Sequence, residues 1–299
     1  MGREEVRFVS GEEQCAAWLF RPLAPAAPVP CVVMGSGLSC VRDQGMGVVA
    51  ERFAAAGFAA LAIDYRHFGD SGGEPRGLVS GSRQRDDLRA ALAFARSRSD
   101  LDPARLVLWG YSLGGGNVQA VAAGEPGIAA AICVAPVVSG MRSLLHVGGL
   151  RHVARLMGAG LRDGARALRR GEPYRVPAAG PPGSLAALNS PDSAPGFAAI
   201  TPPDSTWSNA LCARVALAPP YSLARKVRRI ECPTLYCITE EDDINPPELG
   251  KLAARRTPQG ELRLYPGGHF DPFLGTTFEG MTADQIEFLR RHLDDGTIA

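Results

Sequence analysis

A mostly parallel β-sheet covered by helices on both faces, an α/β architecture, is predicted by three observations. Short apolar runs without polar alternation, such as Cys31-Val-Val-Met34 and Leu106-Val-Leu-Trp109, read as strands buried on both sides. They alternate with stretches of helical apolar spacing, among them Leu88, Ala91, Leu92 and Ala95. A Gly-rich turn, Gly110 to Gly114, joins one such strand to a helix rich in small residues. With 299 residues the chain is long enough for one large domain or two small ones with a sizeable core.

After a short amphipathic lead, residues 14–21 and 30–34 read as strands, the second halted by Gly35-Ser-Gly37. A helix is expected over 43–56, with Gly57 as its cap, followed by a strand over 58–63. A loop rich in Gly and charge covers 64–77, and the apolar spacing of 84–98 gives the next helix. Strands at 105–109 and 129–135 flank a helix starting at Ser112. The alternation stops near Ser139 and resumes near Cys232, with a strand over 233–238, a helix over 247–256, a strand over 261–265 and a closing helix over 283–292. The expected organisation is a core of residues 1–138 and 232–299 carrying an inserted cap, 139–231.

Within the insertion, Leu150, Val153, Met157, Leu161 and Leu168 recur at roughly helical intervals opposite arginines, which predicts an amphipathic helix or helix pair. The prolines of 173–203 argue against regular structure there. Asp204-Ser-Thr206 reads as the N-cap of a helix over 207–217.

Lys plus Arg (32) nearly cancels Asp plus Glu (31), so no overall field attracts nucleic acid or an anionic membrane. Only Lys226 and Lys251 are lysines, a bias that speaks of a GC-rich genome. Seven cysteines without a C-x-x-C pair or zinc-type spacing read as buried free thiols in a reducing compartment. The N-terminus lacks an apolar leader, and no apolar run approaches the ~18 residues of a membrane helix, so a cytoplasmic location is expected. The expected partner is a small-molecule acyl substrate, with no nucleic acid, membrane, metal or nucleotide cofactor. Pairing into a homodimer is left open.

Gly110-Tyr-Ser112-Leu-Gly114 sits between a strand and a helix, the context that the G-x-S-x-G turn requires. Such a turn holds a serine at the carboxyl end of the sheet, while neighbours without side chains let the turn close. The new helix points its free N–H groups at the same place. Here the chain resembles the α/β-hydrolase superfamily, with similarity to its dienelactone-hydrolase-like and serine-peptidase-like members and to the polyketide transferase group. The resemblance runs along nearly the whole chain. It is carried by Ala56-Gly-Phe, Asp64-Tyr-Arg-His-Phe-Gly-Asp-Ser-Gly-Gly73, the Ser112 turn, Cys232-Pro-Thr, Glu241-Asp-Asp-Ile-Asn-Pro-Pro247 and Pro266-Gly-Gly-His-Phe270. It implies an α/β-hydrolase fold and a Ser, acid, His order.

A serine hydroxyl needs a base within hydrogen-bond reach. Of the five histidines only His269 follows the final strand in a Gly-rich loop, where imidazole can swing over Ser112. The base in turn needs a carboxylate to fix its tautomer. The resemblance implies Asp242, with Thr239 standing where relatives carry a Gly, and Asp243 is the alternative. It also implies an oxyanion hole from the backbone N–H groups of Leu38 and Leu113, although Ser36 replaces a histidine common in relatives. Asp64, Arg66 and the Gly69 to Gly73 loop read as a structural turn with buried ion pairing, Asp271 and Phe273 as supports of the His269 loop, and Trp109 as core. Trp207, Leu150 and Met157 are candidates to line the acyl site beneath the cap.

Three functions remain open. The first is a serine hydrolase acting on an ester or thioester through an acyl-enzyme. The second is an acyltransferase or cyclase that gives the same acyl group to an alcohol or amine. The third is a non-catalytic binder on the same scaffold, against which the presence of Ser112, Asp242 and His269 argues. Dehalogenases and epoxide hydrolases of this fold use an aspartate where this chain has Ser112.

Overall fold

A computed structural model describes residues 2–23, 28–218 and 222–293. Eight strands form one sheet: β1 (Gly2–Ser10), β2 (Glu13–Arg21), β3 (Val29–Gly35), β4 (Ala59–Ile63), β5 (Leu101–Tyr111), β6 (Ala130–Val134), β9 (Thr234–Thr239) and β10 (Gly260–Tyr265). Their order is β1-β2-β4-β3-β5-β6-β9-β10. The β1–β2 and β2–β4 pairs are antiparallel and every other pair is parallel. This is the α/β-hydrolase fold predicted from the sequence.

Alternation along the strands splits the core into two layers. Val33, Leu61, Leu106 and Leu108 pack with Leu88 and Leu92 of α2 (Gly81–Ser97), Val118 of α3 (Leu113–Ala122) and Leu249 of α6 (Pro247–Arg256). Val32, Met34, Val107 and Trp109, one residue out of phase, pack with Val49 and Phe53 of α1 (Met46–Ala55) and with Met281 and Phe288 of α7 (Gly275–Leu293). Both faces are therefore covered, and the sheet's carboxyl edge is left for the loops.

Several boundaries move. The amphipathic lead is β1, whose Val6, Phe8 and Ser10 point inward while Glu5, Arg7 and Val9, alternating with them, face out. The first helix starts at Met46, not residue 43, and Gly57 at φ +100° follows its cap residue Ala56. The closing helix begins at Gly275 rather than at residue 283, because burial of Phe278 and Met281 overrides the weak helix propensity of its Gly and Thr residues.

Among the described residues, no strand of the large sheet comes from 135–233. This stretch holds α4 (Gly140–Leu168), β7 (Arg175–Val176), α5 (Ser193–Ile200) and β8 (Leu211–Cys212), with β7 and β8 paired antiparallel. Regular structure does occur within 173–203: α5 accepts Pro195 because it lies in the first turn, where no intrahelical N–H bond is lost. The helix expected over 207–217 is instead β8 followed by a 3₁₀ turn, Ala213–Leu217. Ser205 caps no helix: its hydroxyl donates to Asp43 Oδ1 at 2.7 Å and accepts from the Trp207 N–H at 3.1 Å.

The largest correction concerns α4. It bends at Gly149 (φ +69°), and its buried side consists of Ser143, Val147, His152, Leu156, Ala159, Gly160 and Asp163. The face expected to pack inward is the outer one, with Leu150 79%, Met157 36%, Leu161 63% and Leu168 89% exposed. Small residues decide the matter, since Gly160 lies against the Ala213 carbonyl and Leu217, an approach a larger side chain would block. Asp163 fixes the contact, accepting from the backbone N–H and guanidinium of Arg214 and from the Tyr174 N–H at 2.7–3.1 Å.

Candidate active site

At the end of β5 the chain turns sharply into α3, and Ser112 takes φ +55° and ψ −116°. That backbone is unfavourable for any residue with a Cβ, at about 1–3 kcal/mol. The surrounding glycines make it feasible. A Cβ on Gly110 would overlap the Gly114 backbone, and one on Gly114 would overlap the carbonyl oxygens of Gly35 and Ser36. The motif glycines thus let the turn seat against the end of β3. Ser39 (φ +61°) and Ala135 (φ +42°) flank it, so three of the five left-handed non-glycine residues among those described cluster here.

His269 comes from the loop after β10. Its Nε2 lies 3.0 Å from Ser112 Oγ and its Nδ1 lies 2.7 Å from Asp242 Oδ2, and all three side chains are buried. Asp242 follows β9, and its other oxygen accepts the N–H groups of Ile244 and Asn245 at 2.8 and 2.7 Å. Asp243 faces elsewhere. It accepts from Ser190 Oγ at 3.0 Å and from the Asp192 N–H at 3.1 Å, so it fastens the 139–231 segment.

The loop carrying His269 is braced from below. Tyr111 donates its hydroxyl to the His269 carbonyl at 3.0 Å, its ring lies 4.9 Å from the imidazole, and Phe273 meets it edge-on at 4.7 Å. Burial pushes the Tyr111 phenol well above its usual pKa, so it stays a neutral donor. Asp271 Oδ2 accepts the Gly268 N–H at 2.6 Å. Trp109 is core, its indole donating to Gln285 at 2.9 Å.

Leu113 is the first residue of α3, and neither its N–H nor that of Leu38 has a partner among the described residues. Ser36 donates to the Cys40 carbonyl at 2.8 Å and so ties the Leu38 turn to itself. Behind that turn Arg42 binds Asp64 through its backbone N–H at 2.7 Å and its guanidinium at 2.9 Å, and burial pushes the Asp64 carboxyl up to about 6. Arg66 pairs with Asp87 instead. All seven cysteines are buried free thiols.

Of the residues expected to line an acyl site, Trp207 meets this region and the other two do not. Its ring stacks on Phe197 at 5.0 Å, Phe197 meets Phe270 edge-on at 5.2 Å, and its indole donates to Ser39 Oγ at 3.2 Å. Leu150 and Met157 lie on the exposed outer face of α4, away from its packed side. Asn245 escaped the sequence reading. Its amide reaches both Ser112 Oγ at 3.3 Å and the Ala135 carbonyl at 2.8 Å. The one available signal was a polar residue directly before Pro246-Pro247 in the acidic loop.

Comparisons with known proteins agree with this fold. Residues 30–170 match the family described as serine aminopeptidase, S33. The chain is 39% identical over 288 residues to the quorum-quenching protein AidA of Acinetobacter baumannii (strain MDR-ZJ06), covering 96% of this chain and 94% of that one. It is 26% identical over 286 residues to the polyketide transferase grgF of Penicillium sp, covering 92% of each. Among solved structures, that of DcsB in complex with its substrate analogue superposes with a TM-score of 0.84 at 22% identity, over 98% of this chain and 99% of that one. Among the described residues no helix is long and apolar enough to cross a membrane.

Proposed function

This chain belongs to the α/β-hydrolase family of enzymes, and from that membership we propose that it is a serine hydrolase acting on a carboxylic ester or thioester through an acyl-enzyme. The observation that carries the reading is the unbroken hydrogen-bond chain from Asp242 through His269 to Ser112 at a strained strand-to-helix turn. Ser112 Oγ attacks the acyl carbon, its proton passes to His269 Nε2, and the carbonyl π pair moves onto oxygen. Asp242 holds the Nδ1–H tautomer and stabilises the imidazolium. The N–H groups of Leu38 and Leu113 receive the oxyanion, each worth roughly 3–4 kcal/mol in the transition state. The proton then goes to the leaving alcohol or thiol, and water repeats the sequence to free the acid.

Residues 139–231 act in this reading as a cap on the carboxyl edge of the sheet, where ligands of open α/β sheets bind. Trp207 lines the acyl site, and the substrate is a small molecule met in the cytoplasm.

Likeness to a polyketide transferase over nearly the whole chain supports a second reading, in which an alcohol or amine takes the acyl group instead of water. Product analysis with and without such an acceptor separates the two. The primary test is covalent. A fluorophosphonate is expected to add once, at Ser112, and Ser112→Ala to abolish both labelling and ester turnover. Labelling that persists in that variant would remove Ser112 from its role.

A further inference from the structure

We propose that Asn245 is a further catalytic residue, whose carboxamide directs the Ser112 hydroxyl proton at His269 and steadies the oxygen as that proton leaves. The inference rests on the reading of Ser112 as the nucleophile.

The partners of Asn245 fix which way its amide faces. Nδ2 lies 2.8 Å from the Ala135 carbonyl oxygen, Oδ1 lies 2.8 Å from Ser143 Oγ, and the side chain is buried. A carbonyl only accepts, so the nitrogen must face Ala135, and Ser143 donates to the oxygen. One Nδ2 hydrogen is then left over, and the atom in reach is Ser112 Oγ at 3.3 Å. A serine hydroxyl has a single hydrogen. With a donor already occupying one lone pair, that hydrogen is directed at His269 Nε2, 3.0 Å away, whose own Nδ1–H is held by Asp242.

During attack the Oγ–H bond breaks toward Nε2 while the Oγ–C bond forms. Between these events Oγ carries partial negative charge, and a hydrogen bond to a charged acceptor is roughly twice as strong as one to a neutral acceptor. In the acyl-enzyme Oγ is an ester oxygen, a poor acceptor. It regains charge when deacylation breaks the Oγ–C bond and His269 returns the proton. Asn245 therefore assists both half-reactions and leaves ground-state binding alone.

The same residue ties three elements together. Its backbone N–H holds Asp242 Oδ1, and Ser143 belongs to the first turn of α4, whose His146 Nε2 lies 3.1 Å from the Asp242 carbonyl. Since the backbone bond survives side-chain replacement, Asn245→Ala tests the amide without releasing the acid.

The experiment measures the rate of fluorophosphonate labelling at Ser112, together with kcat and KM for p-nitrophenyl acetate, from pH 6 to 8. Asn245→Ala is expected to lower labelling and kcat by about 10- to 100-fold, as loss of one hydrogen bond to a partly charged oxygen does, with KM little changed. Asn245→Asp separates this role from packing. Its ionised carboxylate cannot donate to Oγ, whereas the protonated acid can, so its activity relative to wild type should rise as the pH falls. Labelling of Asn245→Ala at the wild-type rate, or an Asn245→Asp ratio flat with pH, overturns the inference. If Asn245→Ala does not fold, Ser143→Ala removes only the anchor of Oδ1. A smaller fall in kcat at constant KM supports the role, and an unchanged kcat overturns it. Failure of the wild-type protein to label at Ser112 would instead remove the nucleophile reading itself.

Discussion

Asp242 and Asp243 are neighbours whose carboxylates serve different parts of the molecule, the first meeting His269 Nδ1 at 2.7 Å and the second binding Ser190 and the Asp192 N–H. Asp242→Asn is therefore expected to lower kcat by about four orders of magnitude, because the amide cannot hold the imidazole in its working tautomer. Asp243→Asn should keep kcat within several fold. It should lower stability by about 1–3 kcal/mol, since it weakens two hydrogen bonds to a charged acceptor. Ester kinetics and urea denaturation of both variants check this, and the reverse ranking would move the acid to Asp243.

Two glycines make a contrast in stability. A Cβ on Gly114 meets backbone carbonyls that cannot yield without moving β3, whereas one on Gly158, midway along α4, meets nothing within 4 Å. Gly114→Ala should destabilise by about 3 kcal/mol or more and eliminate turnover. Gly158→Ala should stabilise by about 0.5–1 kcal/mol, since Ala loses less conformational freedom in a helix. Melting temperatures read both.

Asp163 gives the 139–231 segment a pH dependence of predictable sign. Burial pushes its carboxyl up, but the Arg214 side chain and the Arg214 and Tyr174 N–H groups together outweigh burial and hold its pKa below the usual range. A pKa lower in the folded than in the unfolded state contributes stability above the unfolded value, about 3.9, and loses it as the pH falls through the folded value. Urea midpoints of the wild type should thus drop below about pH 4 more steeply than those of Asp163→Asn. That variant should already be weaker at pH 7, because the guanidinium of Arg214 loses its counter-charge. Parallel curves for the two proteins would assign the pH response to other carboxylates.

What was legible in the sequence follows from what carries a periodic or compositional signal. Cys31 to Met34 and Leu106 to Trp109 read as strands because burial on both faces demands unbroken apolar runs. The face of α4 was misread because the apolar pattern points to Leu150 and Leu168, while packing is set by Ala159, Gly160 and a paired Asp163. Close approach selects small residues, which carry little hydrophobic signal. Strain and distance leave still less trace: nothing in the order of residues says that Asn245 lies beside Ser112, or that Ser36 can tie its own turn through Cys40.

Trp207 stands between the loop of Leu38 and the loop of His269. Its indole binds Ser39, next to Leu38, while its ring stacks on Phe197, which in turn meets Phe270 beside His269. Neighbouring contacts hold the segment in place, with Ser205 on Asp43 at 2.7 Å and Gln44 on Thr201 at 2.6 Å. In the proposed reading of 139–231 as a cap, these bonds make it a fixed wall, so the ring would act by shape and not by closure. Trp207→Ala should change the ratio of kcat/KM for a bulky ester to that for an acetyl ester by several fold up to about tenfold, the size of one lost aromatic contact of roughly 1.4 kcal/mol. Trp207→Phe keeps a ring on Phe197 but loses the bond to Ser39, so it should preserve the ratio while lowering both values if that bond steadies the Leu38 turn. An equal loss on both esters in Trp207→Ala, tracking a lower melting temperature, would make the tryptophan a packing residue with no part in selecting the acyl group.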